Sequence, residues 1–326
     1  MSSPGASQAL TRPDLRNAVV SEWDVNGEKA NFIADQVGKR IDVDFAAGKI
    51  KRIPREAFTK DANTLNRGPG GSYSTSTWGD ENLEFFTKEQ GHEIPVDEEM
   101  ASQCKIYYDA ELAAARICMS KVMRKHEIDV AAAVMNTTTF AGASLTTAGS
   151  VNWTTTPATA VPIDDVTSAA LKVRQNCGRV ANSIILSYTL WKKLIAVTQI
   201  VNRINGGATS QLPAAVQMAA VAQLFDLERI IIAKGIKDTA AEGQTFTAGD
   251  IWAADKAMVC YINPAANLQD INLCNVYNWE GSGGSWDWTF ETYRFEKNRT
   301  DTVRARRNVG IKVEYPECGH LITGLG

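Results

Sequence analysis

The chain has 326 residues, of which 44% are hydrophobic, enough for one large domain or two smaller ones with a buried core. It carries 34 basic and 37 acidic side chains, a net charge of −3, without the strong positive excess of a dedicated nucleic-acid-binding protein. No apolar stretch approaches the roughly eighteen residues of a membrane helix, and no signal peptide opens the chain. We therefore expect a cytoplasmic protein without membrane contact.

The N-terminal residues 1–35 contain isolated apolar side chains, such as Leu15 and Trp23, but too few to form a core of their own. This composition is typical of a mobile terminus, or of a segment held by another subunit. Ile41, Val43 and Phe45 then alternate with polar residues, which predicts a short strand.

Residues 46–94 predict a long two-stranded arm. A glycine-rich and proline-containing turn cluster at 66–71 places the tip of this arm near residues 68–72. Charge is segregated along it, since residues 49–55 sum to +4 and residues 80–93 to −4. These charges could pair across the strands of a solvated hairpin. Alternatively, because an isolated hairpin is marginal in water, the arm could lie on a neighbouring molecule of complementary charge.

Residues 96–135 contain neither proline nor glycine and predict one long amphipathic helix. Its first thirty residues would span about 45 Å, enough to cross a subunit. Apolar or small side chains recur along it at spacings of three and four. They are Met100, Cys104, Tyr108, Leu112, Ala115, Met119, Val122 and Met123.

The segment 163–262 has the alternating helices and strands of an α/β domain. It follows a connector rich in threonine, alanine and glycine (137–162), which predicts a loop or weak strands. Within the domain we predict a helix from residue 163 that stops at Gly178, and a short helix and a longer one further on. The predicted strands are 183–187, 229–233 and 258–262, and the two later helices are 190–194 and 214–225.

The remaining chain predicts β structure. The predicted strands are 271–277, 286–295, 302–306, 309–315 and 321–322, with a glycine-rich hairpin turn at 281–284 between the first two. The long helix must bury its apolar stripe and this sheet must cover one face, so we pair them as a second, discontinuous domain into which the α/β domain is inserted.

No catalytic or metal-binding pattern is present in the sequence. There is no phosphate-binding loop and no nucleophile elbow, and His92, His126 and His320 share no metal-ligand spacing, so we expect surface or capping histidines. The six cysteines are dispersed without a CxxC pair, which predicts buried thiols that form neither disulfides nor metal sites. They are Cys104, Cys118, Cys177, Cys260, Cys274 and Cys318. We predict no enzyme activity, cofactor or metal.

A basic run near the C-terminus sums to +4 over residues 294–307. One interpretation is that these residues lie on a solvated pair of strands. We favour a second, in which they contact carboxylates of another subunit across a protein interface. Contact with DNA is a third interpretation. The basic residues of the run are Arg294, Lys297, Arg299, Arg304, Arg306 and Arg307.

The order of these parts resembles the major capsid protein of tailed bacteriophages, the Hong Kong 97-type fold. The similarity covers nearly the whole chain and is a pattern of parts more than a fingerprint. The matching segments are 163–166 (Ile-Asp-Asp-Val), 176–187 (Asn-Cys-Gly-Arg-Val-Ala-Asn-Ser-Ile-Ile-Leu-Ser), 190–194 (Leu-Trp-Lys-Lys-Leu), 223–227 (Gln-Leu-Phe-Asp-Leu), 304–306 (Arg-Ala-Arg) and 319–322 (Gly-His-Leu-Ile).

The resemblance implies an α+β fold with five parts. These are an N-terminal arm and first strand (1–45), an extended loop (46–94), a peripheral domain with a spine helix (95–162), an axial domain (163–268) and peripheral β strands (269–326). It also implies self-assembly of hexamers and pentamers into an icosahedral virion capsid. This capsid would enclose double-stranded DNA and would contact it only weakly and nonspecifically. Assembly would take place in the host cytoplasm, with a portal and with separate scaffolding or decoration proteins as partners.

Candidate contacts between subunits lie mainly on the predicted arm. The residues are Lys49, Lys51, Arg52, Arg55, Arg67, Trp78, Glu81, Glu84, Arg304 and Arg306. Two alternatives stay open. One is an encapsulin, a nanocompartment shell of the same fold that holds cargo enzyme, and the other is a cytoplasmic α/β enzyme with residues 163–262 as its catalytic domain.

Overall fold

The computed structural model is a mixture of helices and strands. It describes residues 9–25, 28–54, 66–67, 69–73, 75, 77, 79–204, 218–265, 270–280 and 288–326. The strands are β1 (Leu10–Thr11), β2 (Gly38–Val43), β3 (Ala47–Arg52), β4 (Glu81–Phe86), β5 (Lys88–Asp97), β6 (Thr146–Ala148), β7 (Ser183–Ser187), β8 (Arg229–Ala233), β9 (Ile236–Asp238), β10 (Ala248–Asp250), β11 (Ala257–Cys260), β12 (Cys274–Trp279), β13 (Thr289–Phe295), β14 (Thr300–Val313) and β15 (Gly319–Thr323). The helices are α1 (Pro13–Val25), α2 (Ala34–Val37), α3 (Glu98–Cys104), α4 (Ala110–Val134), α5 (Pro162–Cys177), α6 (Tyr188–Leu194), α7 (Thr198–Ile204) and α8 (Met218–Leu224).

One six-stranded sheet combines strands from both ends of the chain. Its order is β1-β13-β14-β12-β2, and β5 pairs with the remaining edge of β14. The 14-residue β14 replaces the two separate strands predicted at 302–306 and 309–315. The predicted hairpin between 271–277 and 286–295 is also wrong, because among the described residues β13 and β12 pair with successive parts of β14. The predicted turn at 281–284 lies outside the described residues.

The predicted single helix over 96–135 is interrupted. Residues 88–97 form β5, α3 follows for seven residues, and α4 begins only at Ala110. The Asp109 carboxylate accepts the backbone N–H groups of Glu111 (2.9 Å) and Leu112 (3.2 Å), and so it caps a new helix start. The 25-residue α4 is about 37 Å long.

Helix α4 packs on the six-stranded sheet, which confirms the predicted pairing of stripe and sheet. Met119 and Val122 from its stripe are buried against Phe290 of β13 and Val303 of β14. The stripe was predicted too long, however, because Met100 and Tyr108 at its start are exposed. Both residues come before the Asp109 cap and are therefore not part of α4, so they do not lie on the helix face that packs on the sheet.

The N-terminal segment packs on its own chain rather than lying free. Leu15 and Val19 of α1 join the core between α4 and the sheet. Further along, the backbone N–H groups of Ile33 and Ala34 donate to the buried carboxylate of Glu127 on α4. Residues 1–8 lie outside the described residues.

The predicted α/β part is present as a five-stranded sheet in the order β6-β15-β11-β7-β8. Helix α5 ends where predicted, at Gly178, which adopts the left-handed conformation (φ 72°) that favours glycine. One assignment was wrong: the strand predicted at 321–322 belongs to this sheet and not to the second domain. Its register places Leu321 opposite Met258 of β11, and both side chains are fully buried.

Candidate subunit-contact surface

Strands β3 and β4 form a two-stranded ribbon with a sheet of its own. They pair antiparallel from Ala47 opposite Phe86 to Arg52 opposite Glu81. In the described part of the chain this sheet has only these two strands, so each has an edge without a strand partner. Backbone groups on such an edge can pair with another chain.

The ribbon is shorter than the predicted arm over residues 46–94. Strand β4 ends at Phe86, and from Lys88 onward the chain pairs with β14 in the six-stranded sheet. The predicted return of the arm at 88–94 is therefore part of the main body of the subunit.

The charges of the ribbon pair across its two strands. Lys49 lies 3.1 Å from Glu84, Lys51 lies 3.1 Å from Asp80 and Arg52 lies 2.6 Å from Glu81. This arrangement matches the first of the two interpretations of the segregated charge. Exposed ion pairs contribute at most about 1 kcal/mol each, so these pairs set the register of the ribbon but hold it together only weakly.

The root of the ribbon is fastened to the six-stranded sheet by aromatic packing. The ring of Phe85 stacks on Tyr277 of β12 with centroids 4.8 Å apart. Ile41 and Val43 of β2 complete this small buried cluster. The strand predicted from the alternation of Ile41, Val43 and Phe45 thus exists, although Phe45 lies beyond its end and is 72% exposed.

Arg52 anchors the ribbon to the segment that follows β14. Its guanidinium stacks over the ring of Tyr315 at 4.9 Å and donates to the backbone oxygen of Glu314. The Arg52 side chain is less exposed than those of Lys49 and Lys51. Arg52 therefore has a structural role within its own subunit, whatever it contacts elsewhere.

The buried carboxyl group of Glu314 makes stability depend on pH. Burial raises its pKa to about 7, although Asn275 and Arg52 favour the charged form, and the Tyr277 hydroxyl donates to this carboxyl group. The unfolded value is about 4.3, so the folded protein binds the proton more tightly and loses this stabilisation as the pH rises through 7. We expect the wild type to lose roughly 2 kcal/mol more than Glu314→Gln between pH 5.5 and 8 in urea unfolding. Parallel pH profiles would contradict this.

Gly310 of β14 lies directly under the end of the ribbon. A Cβ atom at this position would overlap the backbone oxygen of Phe86. We expect Gly310→Ala to displace the ribbon root and to lower the free energy of unfolding by about 1–3 kcal/mol, as overpacking does. Gly79→Ala is the matched control, because a Cβ there meets no atom within 4 Å. Equal urea midpoints for the two variants would show that the ribbon does not rest on Gly310.

Arg67, in the chain segment that connects β3 to β4, is held by local contacts. It donates to the backbone oxygen of Gly71 (2.6 Å), and its guanidinium lies 4.9 Å from the ring centroid of Tyr73. Both side chains are exposed and form a preorganised pair of a cation and an aromatic ring. Arg55 and Trp78, also predicted as contacts, lie outside the described residues.

Arg304 and Arg306 lie apart from the ribbon, on β14, and share the carboxylate of Glu291. Arg306 Nη2 is 2.8 Å from Glu291 Oε1, and Arg304 Nε is 3.0 Å from Oε2. Burial opposes the charge on Glu291, but the hydrogen bonds from the two arginines prevail and hold its pKa below the ordinary value. Arg306 is only 7% exposed, so its charge is satisfied inside the subunit.

The basic run that was predicted to meet carboxylates across an interface largely meets carboxylates of its own chain. Besides the two arginines on Glu291, Arg294 pairs with Glu98, Glu296 and Asp301. Arg299 also contacts Glu98 (3.2 Å). These acids and bases are brought together because β14 pairs with β13 on one edge and with β5, which leads into Glu98, on the other. Their separation along the chain does not reveal this.

Sequence reasoning missed an exposed apolar corner between α3 and α4. Ile106 is 88% exposed and Tyr107 is 82% exposed. They lie in the turn between α3 and the Asp109 cap, where the rest of the subunit does not cover their side chains. The signal that could have located this corner is the Asp-x-Glu pattern at 109–111, which is typical of a helix start.

Two of the three histidines, which were predicted to be surface or capping residues, are buried. His126 and His320 are fully buried, and His320 is hydrogen-bonded to Thr147 (2.8 Å) and to the backbone of Ser144 (3.0 Å). Burial, with a contribution from Arg307, lowers the pKa of His126. Within the described residues there is no cluster of three potential metal ligands and no helix that could span a membrane.

No protein-family model matches this sequence, and no curated protein matches it. Solved structures do match. A phage-related protein from Bordetella bronchiseptica has a TM-score of 0.69 and 17% identity, covering 98% of this chain and 99% of that chain. The capsid of cyanophage P-SCSP1u has a TM-score of 0.53 and 13% identity over 88% and 86%. The SrpI encapsulin of Synechococcus elongatus has a TM-score of 0.51 and 7% identity over 89% and 86%. The fold is therefore that of phage capsid and encapsulin shell proteins, which confirms the predicted resemblance.

Proposed function

We propose that this chain is the major capsid protein of a tailed bacteriophage, with the Hong Kong 97-type domain organisation. Many copies would form hexamers and pentamers that close into an icosahedral shell around double-stranded DNA. The observation that carries the proposal is the ribbon of β3 and β4, which the fold leaves without a strand partner in the described part of its own subunit.

A two-stranded ribbon of this kind is marginally stable in water. Its cross-strand ion pairs are exposed, and its root presents Phe45 (72% exposed) and Phe86 (62% exposed) to solvent. Covering these side chains with a neighbouring subunit would remove apolar surface from water. The ribbon is therefore better explained as an element that serves a neighbour than as a support for its own core.

The apolar corner of Ile106 and Tyr107 offers a second surface for a neighbour. Contiguous exposed apolar side chains mark interaction sites on soluble proteins. With two such surfaces on each subunit, individually modest contacts can hold a closed shell, because symmetry repeats every contact and linkage raises its effective concentration.

The contact residues of this proposal are those of the ribbon. Lys49, Lys51 and Glu84 have the most exposed charges, and Arg67 is exposed in the segment that connects the two strands. Arg52 and Glu81 act mainly at the end of the ribbon opposite its root, and Arg304 and Arg306 act mainly inside the sheet. Arg55 and Trp78 remain contacts predicted from the sequence alone.

The proposed division of the chain keeps an N-terminal arm, an extended loop, a peripheral domain and an axial domain. Strand β5 is reassigned from the loop to the peripheral sheet, and β15 from the peripheral strands to the axial sheet. The net charge of −3 suits a wall that contacts packaged DNA only weakly. A portal and separate scaffolding or decoration proteins complete the proposed set of partners.

The similarity to an encapsulin favours a second candidate, a nanocompartment shell filled with cargo enzyme. Negative-stain electron microscopy with light scattering of the purified protein tests both shell functions. Closed shells, or tubes and sheets of hexamers, are the expected result, and nucleic acid inside shells from infected cells would separate capsid from nanocompartment. A protein that stays monomeric over a wide range of concentration and salt, also when coexpressed with a scaffolding protein, would contradict both and would favour the α/β enzyme.

Charge reversal on the ribbon tests whether its lysines face a neighbour. We expect Lys49→Glu with Lys51→Glu to reduce shell yield severalfold at low salt and less at high salt, because salt screens repulsion between exposed charges. The thermal midpoint of the subunit should barely change, since exposed ion pairs contribute at most about 1 kcal/mol. Shell yield by light scattering at several salt concentrations is the measurement.

A charge swap provides the control for this test. Lys49→Glu combined with Glu84→Lys restores the ion pair inside the ribbon but reverses the charges shown to a neighbour. A persistent defect in the swapped variant would support contact with a charged neighbour. Full recovery would show that only the pairing within the ribbon matters.

A further inference from the structure

Two buried cysteines meet where α5 ends, near the Arg52 end of the ribbon. Cys177 is the last residue of α5, and Cys318 closes the 3₁₀ turn Pro316–Cys318 that leads into β15. Their Sγ atoms are 2.7 Å apart, and the two residues are 4% and 0% exposed. This separation is inside the van der Waals contact of two sulfur atoms. A disulfide bond, at about 2.05 Å, needs only a small further approach.

The other cysteines do not share this arrangement. Cys118 has its Sγ 3.6 Å from the backbone oxygen of Val303, and Cys104 contacts the hydroxyl of Tyr108. Burial raises the pKa of both Cys260 and Cys274 to about 12, so these thiols stay protonated and unreactive. All six cysteines lie in the described residues, and all are free thiols in this structure.

A small cavity of about 70 Å³ on the side of the ribbon is lined by both cysteines. Its volume suits a molecule of a few atoms and excludes a protein oxidant. Besides the two cysteines, the cavity is lined by Arg52, Pro54, Glu81, Ile271, Tyr315 and Glu317.

We propose that Cys177 and Cys318 form an intramolecular disulfide when the protein meets a small peroxide. In a reducing cytoplasm the pair would stay as two thiols. The inference concerns the subunit itself and holds for any function of the shell.

The chemistry proceeds in two steps that balance. The sulfur of Cys177 attacks one oxygen of hydrogen peroxide, breaks the O–O bond and becomes a sulfenic acid, with release of water. The sulfur of Cys318 then attacks the sulfenic sulfur, and its proton leaves with the hydroxyl group as a second water. The two thiols thereby lose two electrons and two protons, and one peroxide is reduced to two waters.

The environment assigns the first step to Cys177. Its pKa lies below the ordinary value because of its hydrogen bond with the Cys318 thiol, with further support from the backbone and charge of Arg179. Burial raises the pKa of Cys318, which remains protonated until the second step.

The bond would act on the ribbon as well as on the α/β part. It joins residues 141 positions apart in the chain, and such a long loop loses much unfolded-state entropy when it is closed. It also fixes the turn after Glu314 and Tyr315, the two residues on which Arg52 rests. The Arg52 end of the ribbon would become stiffer.

The test uses full-length protein purified under reducing conditions and then treated with equimolar hydrogen peroxide. After denaturation in an alkylating reagent, intact mass counts the free thiols. We expect six alkylated cysteines before treatment and four after it. Peptide mapping should find Cys177 linked to Cys318, and the thermal midpoint should rise by roughly 5–10 °C.

Variants separate this pair from general oxidation. Cys177→Ser and Cys318→Ser should each abolish the rise in midpoint, whereas Cys104→Ser should keep it and still lose two thiols. Peptide mapping of the wild-type protein tests the Cys177–Cys318 bond even if a variant fails to fold. Six free thiols after peroxide, a disulfide between other cysteines, or Cys177 oxidised to a sulfinic acid without a link would overturn the proposal.

Discussion

Replacing Glu127 by alanine should lower the free energy of unfolding by at least about 3 kcal/mol, because a buried donor left without a partner costs roughly 1–3 kcal/mol. Three donors depend on this carboxylate. The backbone N–H groups of Ile33 and Ala34 donate to it at 3.0 and 2.8 Å, and Trp252 Nε1 donates at 2.6 Å. Glu127 therefore joins the N-terminal segment, helix α4 and the α/β part.

Urea unfolding and hydrogen exchange measure this effect. The amide hydrogens of Ile33 and Ala34 should exchange faster in Glu127→Ala than in the wild type. Glu127→Gln should lose less stability, since it keeps one acceptor oxygen and the same volume. Asp129→Ala removes a half-buried carboxylate of the same helix that accepts from Lys125 and from Gln90, so it is the matched control and should cost less, about 1–2 kcal/mol. Equal midpoints for Glu127→Ala and Asp129→Ala would refute the proposed junction.

Deleting residues 62–77 should abolish more than roughly 90% of shell assembly while the subunit stays folded. The deletion spares β3 and β4, which are held at one end by Phe85 on Tyr277 and at the other by Arg52 on Tyr315. Each loss of 1.4 kcal/mol at a contact weakens association about tenfold, and a shell repeats the loss at every copy. Light scattering and electron microscopy measure assembly, and thermal unfolding measures the subunit.

A variant with a Gly/Ser segment of equal length in place of residues 62–77 is the control, because it keeps the length of the connection and removes only its side chains. If side chains beyond the ribbon contact a neighbour, this variant should be nearly as defective as the deletion. Normal shells from the deletion variant itself would remove the interlocking arm from the mechanism and would leave the apolar corner at Ile106 and Tyr107 as the main contact.

Much of the ribbon could be predicted from the sequence, but the roles of its charges could not. The charge segregation and the turn cluster at 66–71 are local patterns, and they correctly predicted two paired strands. Whether Lys49 faces Glu84 or a neighbour depends on register, and Arg52 reaches Glu314, which is 262 positions away. A contact at that separation leaves no periodic trace in the sequence.

Local patterns by themselves determined the elements whose formation depends on nearby residues. The helix that ends at Gly178 and the apolar strand Ser183–Ser187 are examples, because a glycine stop and a short apolar run need no distant partner to be recognised. Only the tertiary structure decided that β14 is one continuous strand, that β15 joins the α/β sheet and that Arg306 is buried on Glu291. Strand partners and the burial of a charge are set by contacts between distant parts of the chain, so they emerge only when the whole subunit is folded.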